Sequence, residues 1–270
     1  MKNKKVTAAN TADRYQLYLR SVQAPDVDVQ FFQRVYRSQF RRPARILRED
    51  FCGTAAVCAE WVKGNPEREA YGVDLDPEPL AWGQKHILSK IPPAKQKRVH
   101  LVEGDVRTAV TPKADIIAAQ NFSYCIFKTR AELRAYFLAA YKHLADQGLL
   151  ILDLFGGYES LEDDKEEVTK HRSFEYVWEQ HRYDPITAHG LFKIHFRFKD
   201  GSVMQDAFQY DWRLWTIPEV REVLLEAGFD RADAYWEDSD ARSGEGNGVY
   251  RRREHGSSDP AWNAYIIGVK

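Results

Sequence analysis

The sequence predicts an α/β protein: a doubly wound, mostly parallel sheet carrying a small antiparallel β insertion. Three observations predict it. Short apolar runs alternate with helical patterns from residue 41 to 157, the mark of βα units and a parallel sheet. The rhythm breaks between 158 and 214, where strand-like runs follow one another around a Lys199-Asp200-Gly201 hairpin signal. It resumes from 215 to 270.

Each element has its own signal. Residues 1–10 are polar and read as loose. From Asp13 to about Phe40, Tyr15, Leu17, Tyr18, Val22, Phe31, Phe32, Val35, Tyr36 and Phe40 recur at helical spacing, with Pro25 dividing two pieces. Residues 1–40 thus form a helical segment ahead of the sheet. Ala44-Arg45-Ile46-Leu47 is the first strand, which runs into Glu49-Asp50-Phe51-Cys52-Gly53-Thr54 and a helix from Ala55 to about Lys63. Ala70–Asp74 is the second strand; Asp76 caps the next helix, with Pro77 at its first position. His100–Val102 and Asp115–Ala119 are the third and fourth. Thr129 and Glu132 form a capping box for a helix that Gly148 is expected to end. Leu149–Phe155 is the fifth strand, apolar nearly throughout, as a strand covered on both faces should be.

In the insertion, residues 159–170 are strongly charged and read as a solvated helix or loop. Phe174–His181, Leu191–Lys199 and Val203–Trp212 read as three antiparallel strands. Thr216 with Glu219 is a second capping box, and Gly228 closes its helix. Ala232–Trp236 and Tyr265–Val269 are the last strands, separated by a Gly-, Ser- and charge-rich stretch over 239–260 that reads as a loop.

Composition narrows the function classes. Thirty-nine basic residues against 40 acidic ones give a formal charge of −1, which argues against a globally basic nucleic-acid binder. A hydrophobic content of 44% excludes a disordered chain. No apolar run approaches the roughly 18 residues of a membrane span, and MKNKKVTAAN lacks an apolar signal core. Cys52, Cys58 and Cys125 have no C-x-x-C spacing, which suits free thiols in a reducing compartment. A cytoplasmic protein is expected. The eight histidines show no H-x-x-x-H or H-E-x-x-H spacing, so no metal site is expected.

In a doubly wound sheet, ligands bind beyond the carboxyl ends of the strands. Phe51-Cys52-Gly53-Thr54-Ala55 offers one glycine for close backbone approach, ahead of a helix N-terminus; a plain tight turn would look the same. Asp74 ends the second strand 21 residues after Gly53, where a carboxylate can accept from both ribose hydroxyls of a nucleoside. Asp105 follows the third strand and can accept from an adenine amino group; a turn aspartate is the plainer alternative.

Taken together, Glu49–Ala55 and Val73-Asp74-Leu75-Asp76-Pro77 resemble the class I S-adenosylmethionine-dependent methyltransferases. Glu219-Val220 through Ala227-Gly228-Phe229 is similar to the helix and turn before their sixth strand. Ala264–Lys270 is similar to their antiparallel seventh. The likeness covers about residues 40–155 and 215–270. It implies a Rossmann-like seven-stranded sheet with an antiparallel last strand. By this resemblance Glu49 or Asp50 holds the methionine ammonium, Gly53 passes beside the cofactor with Phe51 and Thr54 in the same turn, and Asp74 binds the ribose with Leu75 against adenine. Asp105 binds the adenine amino group with Val106 near the ring, and Gln120 and Asn121 face the methionine portion. Tyr15 and Tyr18 belong to a segment that closes over the cofactor, although a core stripe has the same spacing. Phe51 and Ala55 stand where the family has glycines.

Ser123 and Tyr124 are candidate acceptor-pocket residues, with Tyr124 the candidate catalytic group. The family's base-amine signature, [Asn/Asp]-Pro-Pro-[Tyr/Phe], is absent from 121–128. In position, the 158–214 insertion is similar to the lid sheets of small-molecule methyltransferases. Tyr210, Trp212 and Arg213 are its candidate substrate contacts, an aromatic face with a guanidinium suited to a carboxylate-bearing metabolite; a face packed on the domain is the alternative. The expectation is in-line methyl transfer from S-adenosylmethionine to N, O or C of a small acceptor, by a monomer or homodimer without nucleic-acid or membrane partners. Arg41, Arg42, Arg45 and Arg251-Arg252-Arg253 keep a protein or RNA acceptor as an alternative. Phe51 and Ala55 keep an inactive cofactor-binding module. An NAD-dependent dehydrogenase lies further off, for want of the three-glycine turn.

Overall fold

A computed structural model describes residues 6–240 and 246–270. Residues 1–5 of the expected loose N-terminus and 241–245 of the expected 239–260 loop lie outside them.

The chain starts with α1 (Ala8–Thr11), α2 (Arg14–Ser21) and α3 (Pro25–Phe40). Asp13 caps α2 by accepting from the Tyr15 and Gln16 amides, and Pro25 opens α3. The sheet follows: β1 (Ile46–Asp50), α4 (Ala56–Trp61), β2 (Glu69–Asp74), α5 (Pro77–His86), α6 (Pro93–Gln96), β3 (Val99–Glu103), β4 (Ala114–Ala119), α7 (Arg130–His143) and β5 (Leu144–Gly156). After the insertion, β6 (Lys165–Lys170), β7 (Phe174–Asp184), β8 (His189–Phe198) and β9 (Val203–Arg213), come α8 (Ile217–Glu226), β10 (Arg231–Ser239), β11 (Gly246–Arg252) and β12 (Trp262–Val269).

The main sheet has the order β11-β10-β12-β5-β4-β1-β2-β3. β1 to β5 run parallel, and β12 is antiparallel to both β5 and β10. This is the expected Rossmann-like sheet with a reversed last strand, plus β11 on its edge. The chain order reverses between β1 and β4, which opens a crevice at their carboxyl ends. Two cores sandwich the sheet. One packs Leu133, Phe137, Val220 and Leu224 of α7 and α8; the other packs Phe32, Val35, Tyr36, Cys58 and Trp61 of α3 and α4. Both capping boxes are formed, at Thr129–Glu132 and Thr216–Glu219, and Gly228 ends α8 at a φ of 101°.

Four expectations change. Residues 165–170 are a strand, not a solvated helix or loop, so the insertion has four strands. β6 is an exposed edge whose Glu166 pairs with Arg197, and a charged edge strand resists further pairing. Residues 246–252 are also a strand, and Arg251, Arg252 and Arg253 are tied to Asp238, Asp233 and Glu254 rather than free in a loop. α7 stops at His143, ahead of Gly148; Gln147, at a φ of 62°, lies early in β5 where the register with β4 shifts. Residues 246–252 of the 239–260 stretch therefore pair with β10 as a hairpin, and 253–260 remain the expected loop.

The insertion packs back on the N-terminal helices. The Ala8 amide donates to Asp200 at the β8–β9 turn, and Leu17 joins the insertion's own core with Phe174, Ile194 and Phe196. α2 also reaches the main sheet's helices: the Trp82 indole donates to Asp13 at 2.6 Å, and Tyr15 lies against both Trp82 and Phe208. The N-terminal segment thus ties the insertion to α5 across the crevice. No helix among the described residues is long and apolar enough to cross a membrane.

Candidate active site

Three cavities run end to end along the carboxyl edge. The inner one is lined by Leu75, Gly104, Asp105, Val106, Ile126 and Phe127. The middle one, about 380 Å³, is lined by Tyr15, Gln23, Gly53, Thr54, Ser123 and the Ala207–Gln209 stretch of β9, among others. Phe51, Asp74 and Asp76 line both. The outer cavity, also about 380 Å³, lies under the insertion; Tyr18 and Asn121 form its border with the middle one.

The turn after β1 is unusual backbone. Phe51, Gly53 and Ala55 have φ of 58°, 51° and 57°, the left-handed region that favours glycine. Phe51 and Ala55 adopt the backbone that the resembled family gives to glycine. Phe51 turns its ring against Phe127 and Tyr136, and Ala55 is fully buried. Such residues persist only where the surroundings over-determine them. Here the Gly53 amide donates to Asp74 at 2.7 Å and the Ala55 amide to the Cys52 carbonyl. A Cβ on Gly53 would meet nothing within 4 Å, so this turn presents bare backbone to the middle cavity. Gly83 of α5 sits so close that a Cβ there would lie 2.2 Å from the Thr54 carbonyl.

Near the middle cavity gather four carboxyl groups, Asp28, Glu49, Asp74 and Asp153, while the cation that lines it, Arg14, is engaged by Glu78. Burial pushes Asp28 up to about 7, Glu49 up to about 8 and Asp153 up to about 7; Asp28 also opposes Glu49 and Asp153, and Asp74 opposes Glu49. Burial raises Asp74 as well. None of the four forms an ion pair among the described residues. Asp153 has a second task. Its carboxylate accepts from the amides of Asn121 at 2.6 Å and Phe122 at 2.8 Å, two consecutive left-handed residues with φ of 57° and 58°. It thereby shapes the border between the middle and outer cavities.

The expected site residues divide. Tyr15, Tyr18, Phe51, Gly53, Thr54, Asp74, Leu75, Asp105, Val106, Asn121, Ser123, Tyr210 and Trp212 all line one or more cavities. Asp105 is held by Arg107, which keeps its carboxyl below the usual range. The others lie elsewhere. Tyr124, the expected catalytic group, is fully buried with its hydroxyl unpartnered, packed in the core near Phe137. Its 3₁₀ turn, Ser123–Ile126, sends that side chain inward and leaves Ser123 on the cavity. Gln120 is buried and donates to the Ile151 carbonyl. Glu49 is buried, accepting the Cys58 amide at the start of α4. Asp50 pairs with the fully buried Arg48, whose guanidinium also donates to the Val106 and Ala109 carbonyls. Arg213 donates to the Lys128 carbonyl and Glu219 and covers Trp215, outside the outer cavity.

Sequence reasoning missed Asp153, although a lone carboxylate in Leu-Leu-Ile-Leu-Asp-Leu-Phe was a visible signal. Asp28, Gln23 and the carboxylates of the outer cavity gave none. Glu179, His195 and Asp206 also converge, their ligand-type atoms within 4.8 Å of one another. The Asp206 amide donates to His195 Nδ1, so Nε2 carries the proton and donates to Glu179. Both nitrogens are engaged, and His195 is a buried brace of the insertion.

No protein-family model and no curated protein matches the sequence. Solved structures match over nearly the whole chain. DesVI of Streptomyces venezuelae has a TM-score of 0.67 at 19% identity, with 98% of this chain and 99% of that one covered. The sugar N-methyltransferase KedS8 from Streptoalloteichus has a TM-score of 0.66 at 19% identity, with 100% and 98% covered. CalS10, an amino pentose methyltransferase from Micromonospora echinaspora, has a TM-score of 0.65 at 18% identity, with 99% of each chain covered. Strand order, reversed last strand and these likenesses agree: the chain has the fold of the class I S-adenosylmethionine-dependent methyltransferases.

Proposed function

We propose that this protein is an S-adenosylmethionine-dependent methyltransferase acting on a small-molecule acceptor. The observation that carries it is the middle cavity: bare Gly53 backbone, Asp74 at the strand end, and nearby carboxyl groups that form no ion pair among the described residues, while the lining Arg14 is held by Glu78. S-adenosylmethionine carries an ammonium and a sulfonium, and both suit that field. An unpartnered, buried Gln23 oxygen also belongs to that cavity's lining residue and gives a further acceptor for an ammonium.

Asp74 is proposed to take the ribose hydroxyls, Leu75, Val106 and Phe127 to pack the base, and Asp105 to accept its amino group. Asp28, with Glu49 behind it, is proposed to offset the ammonium. Bound S-adenosylmethionine supplies an electrophilic methyl on sulfur. The protein's part is to aim it past Asn121 and Tyr18 into the outer cavity and to exclude water with the insertion and α2. Residues 1–40 serve as the closing segment, 41–157 and 215–270 as the cofactor domain, and 158–214 as the substrate lid. The outer cavity, about 380 Å³ under the insertion, has the size of a metabolite site rather than of a protein or RNA surface.

Calorimetric titration with S-adenosylhomocysteine tests this. Micromolar binding is expected, weakened at least tenfold by Asp74→Ala. No binding at high micromolar ligand, with Asp74→Ala behaving as the parent, refutes it.

A further inference from the structure

The outer cavity has an unusual wall. Its only charged lining residues among those described are Glu159, Glu167 and Glu237. No lysine or arginine among the described residues lines it. Lys165 sits behind, shared by Glu159 at 2.5 Å, Glu162 at 3.3 Å and Glu167 at 3.8 Å, so one cation faces three carboxylates. Glu237 comes from the other side, on β10, and accepts from the Gly248 amide and the Tyr250 hydroxyl. The rest of the wall is largely aromatic. Trp178, Tyr210 and Trp212 form one stack, with Tyr210 and Trp212 centred 4.4 Å apart, and Trp262 stands opposite on β12.

Carboxylates and ring faces attract the same thing, an organic cation, and both repel a carboxylate. The wall is also continuous with the methyl-donor cavity through Tyr18 and Asn121. We infer that the methyl acceptor is a small primary or secondary amine, bound as its cation by Glu159, Glu237 and the Trp178–Tyr210–Trp212 stack. This rests on the methyltransferase reading above. It replaces the carboxylate-bearing acceptor that Arg213 suggested, since Arg213 points elsewhere.

The charge flow of the reaction fits. The bound ammonium first releases a proton to water at the cavity mouth. The nitrogen lone pair then forms the N–C bond as the C–S bond breaks, and that electron pair returns to sulfur. Sulfur ends neutral and nitrogen ends positive. Positive charge therefore moves from the middle cavity into the outer one, where carboxylates and rings stabilise it more as the transition state is approached. With a phenolate or carboxylate acceptor the charge would instead vanish there, and the acidic wall would oppose binding of the reactant.

The test is a binding comparison on the full chain saturated with S-adenosylhomocysteine, read by quenching of tryptophan fluorescence. The probes are benzylamine, benzyl alcohol and benzoate, similar in shape and differing in charge. Benzylamine should bind at least about tenfold tighter than benzyl alcohol, with benzoate weakest. Glu159→Gln with Glu237→Gln should abolish the preference while leaving benzyl alcohol unchanged, and circular dichroism checks that the variant folds. Equal affinities, a preference for benzoate, absence of benzylamine binding, or a preference that survives the double substitution overturns the inference. If S-adenosylhomocysteine itself fails to bind, the methyltransferase reading falls; if it binds and the outer cavity ignores charge, only this inference does.

Discussion

Arg48 offers the sharpest test of how the fold holds its site. It is fully buried on β1, with Nε donating to Asp50 Oδ1 at 2.6 Å and its other nitrogens to the Val106 and Ala109 carbonyls at 2.6 and 3.1 Å. Tyr136 donates to the other Asp50 oxygen at 3.0 Å. Arg48 therefore pins the loop after β3, which carries Asp105 and Val106 into the inner cavity. Arg48→Met strands Asp50 in the core and leaves two carbonyls short of a donor. Breaking a buried pair from one side costs about 3–5 kcal/mol. For a chain of this length about 4 kcal/mol lowers Tm by roughly 8–16 °C. Arg48→Met with Asp50→Asn removes the stranded charge while keeping an acceptor for Tyr136, so it should recover about half of the loss or more. Differential scanning calorimetry and urea unfolding measure both. A single variant within about 1 kcal/mol of the parent, or a double variant no better than the single, refutes the reasoning.

Three further predictions concern ionisation and the misplaced tyrosine. Burial raises the carboxyls of Asp28, Glu49 and Asp153 to about 7, 8 and 7, so a bound cation should expel protons from them. Titration of S-adenosylmethionine in buffers of different ionisation enthalpy should show proton release at pH 7, and affinity should rise from pH 6 to 8; pH-independent binding without release would contradict the carboxyl cluster's role. Since Glu49 is raised when folded, its protonated form stabilises the ligand-free fold below its ordinary range, and that contribution is lost as pH rises through about 8. The ligand-free Tm should accordingly fall between pH 5 and 8. Tyr124→Phe removes a buried, unpartnered hydroxyl. It should leave turnover within about twofold and stability unchanged or raised by up to about 1 kcal/mol; a tenfold loss of turnover would restore Tyr124 to the chemistry.

Local pattern made much of the fold legible. Asp76-Pro77, Thr129-x-x-Glu132 and Thr216-x-x-Glu219 announce helix starts because caps act within four residues. The apolar run after Gly148 announces a buried strand. Charge misled at β6, where Lys165–Lys170 reads as solvated because it is solvated, although its backbone pairs with β7. The turn Ser123–Ile126 misled in the opposite way: a half-turn decides whether Ser123 or Tyr124 faces the cavity, and composition does not encode a half-turn.

The sequence by itself determined the alternation of strands and helices, the place of the insertion, and the turn and strand-end residues Gly53, Asp74 and Asp105. Those signals are short-range, carried by periodicity and by capping and turn chemistry. Only the tertiary structure decided that Asp50 belongs to Arg48 and that Arg213 belongs to Glu219. It also brought Glu159 and Glu237, 78 positions apart, to one aromatic cavity. Pairing and desolvation depend on which strands lie side by side, and a side chain's partner across a sheet or a lid leaves no mark on its neighbours in the chain.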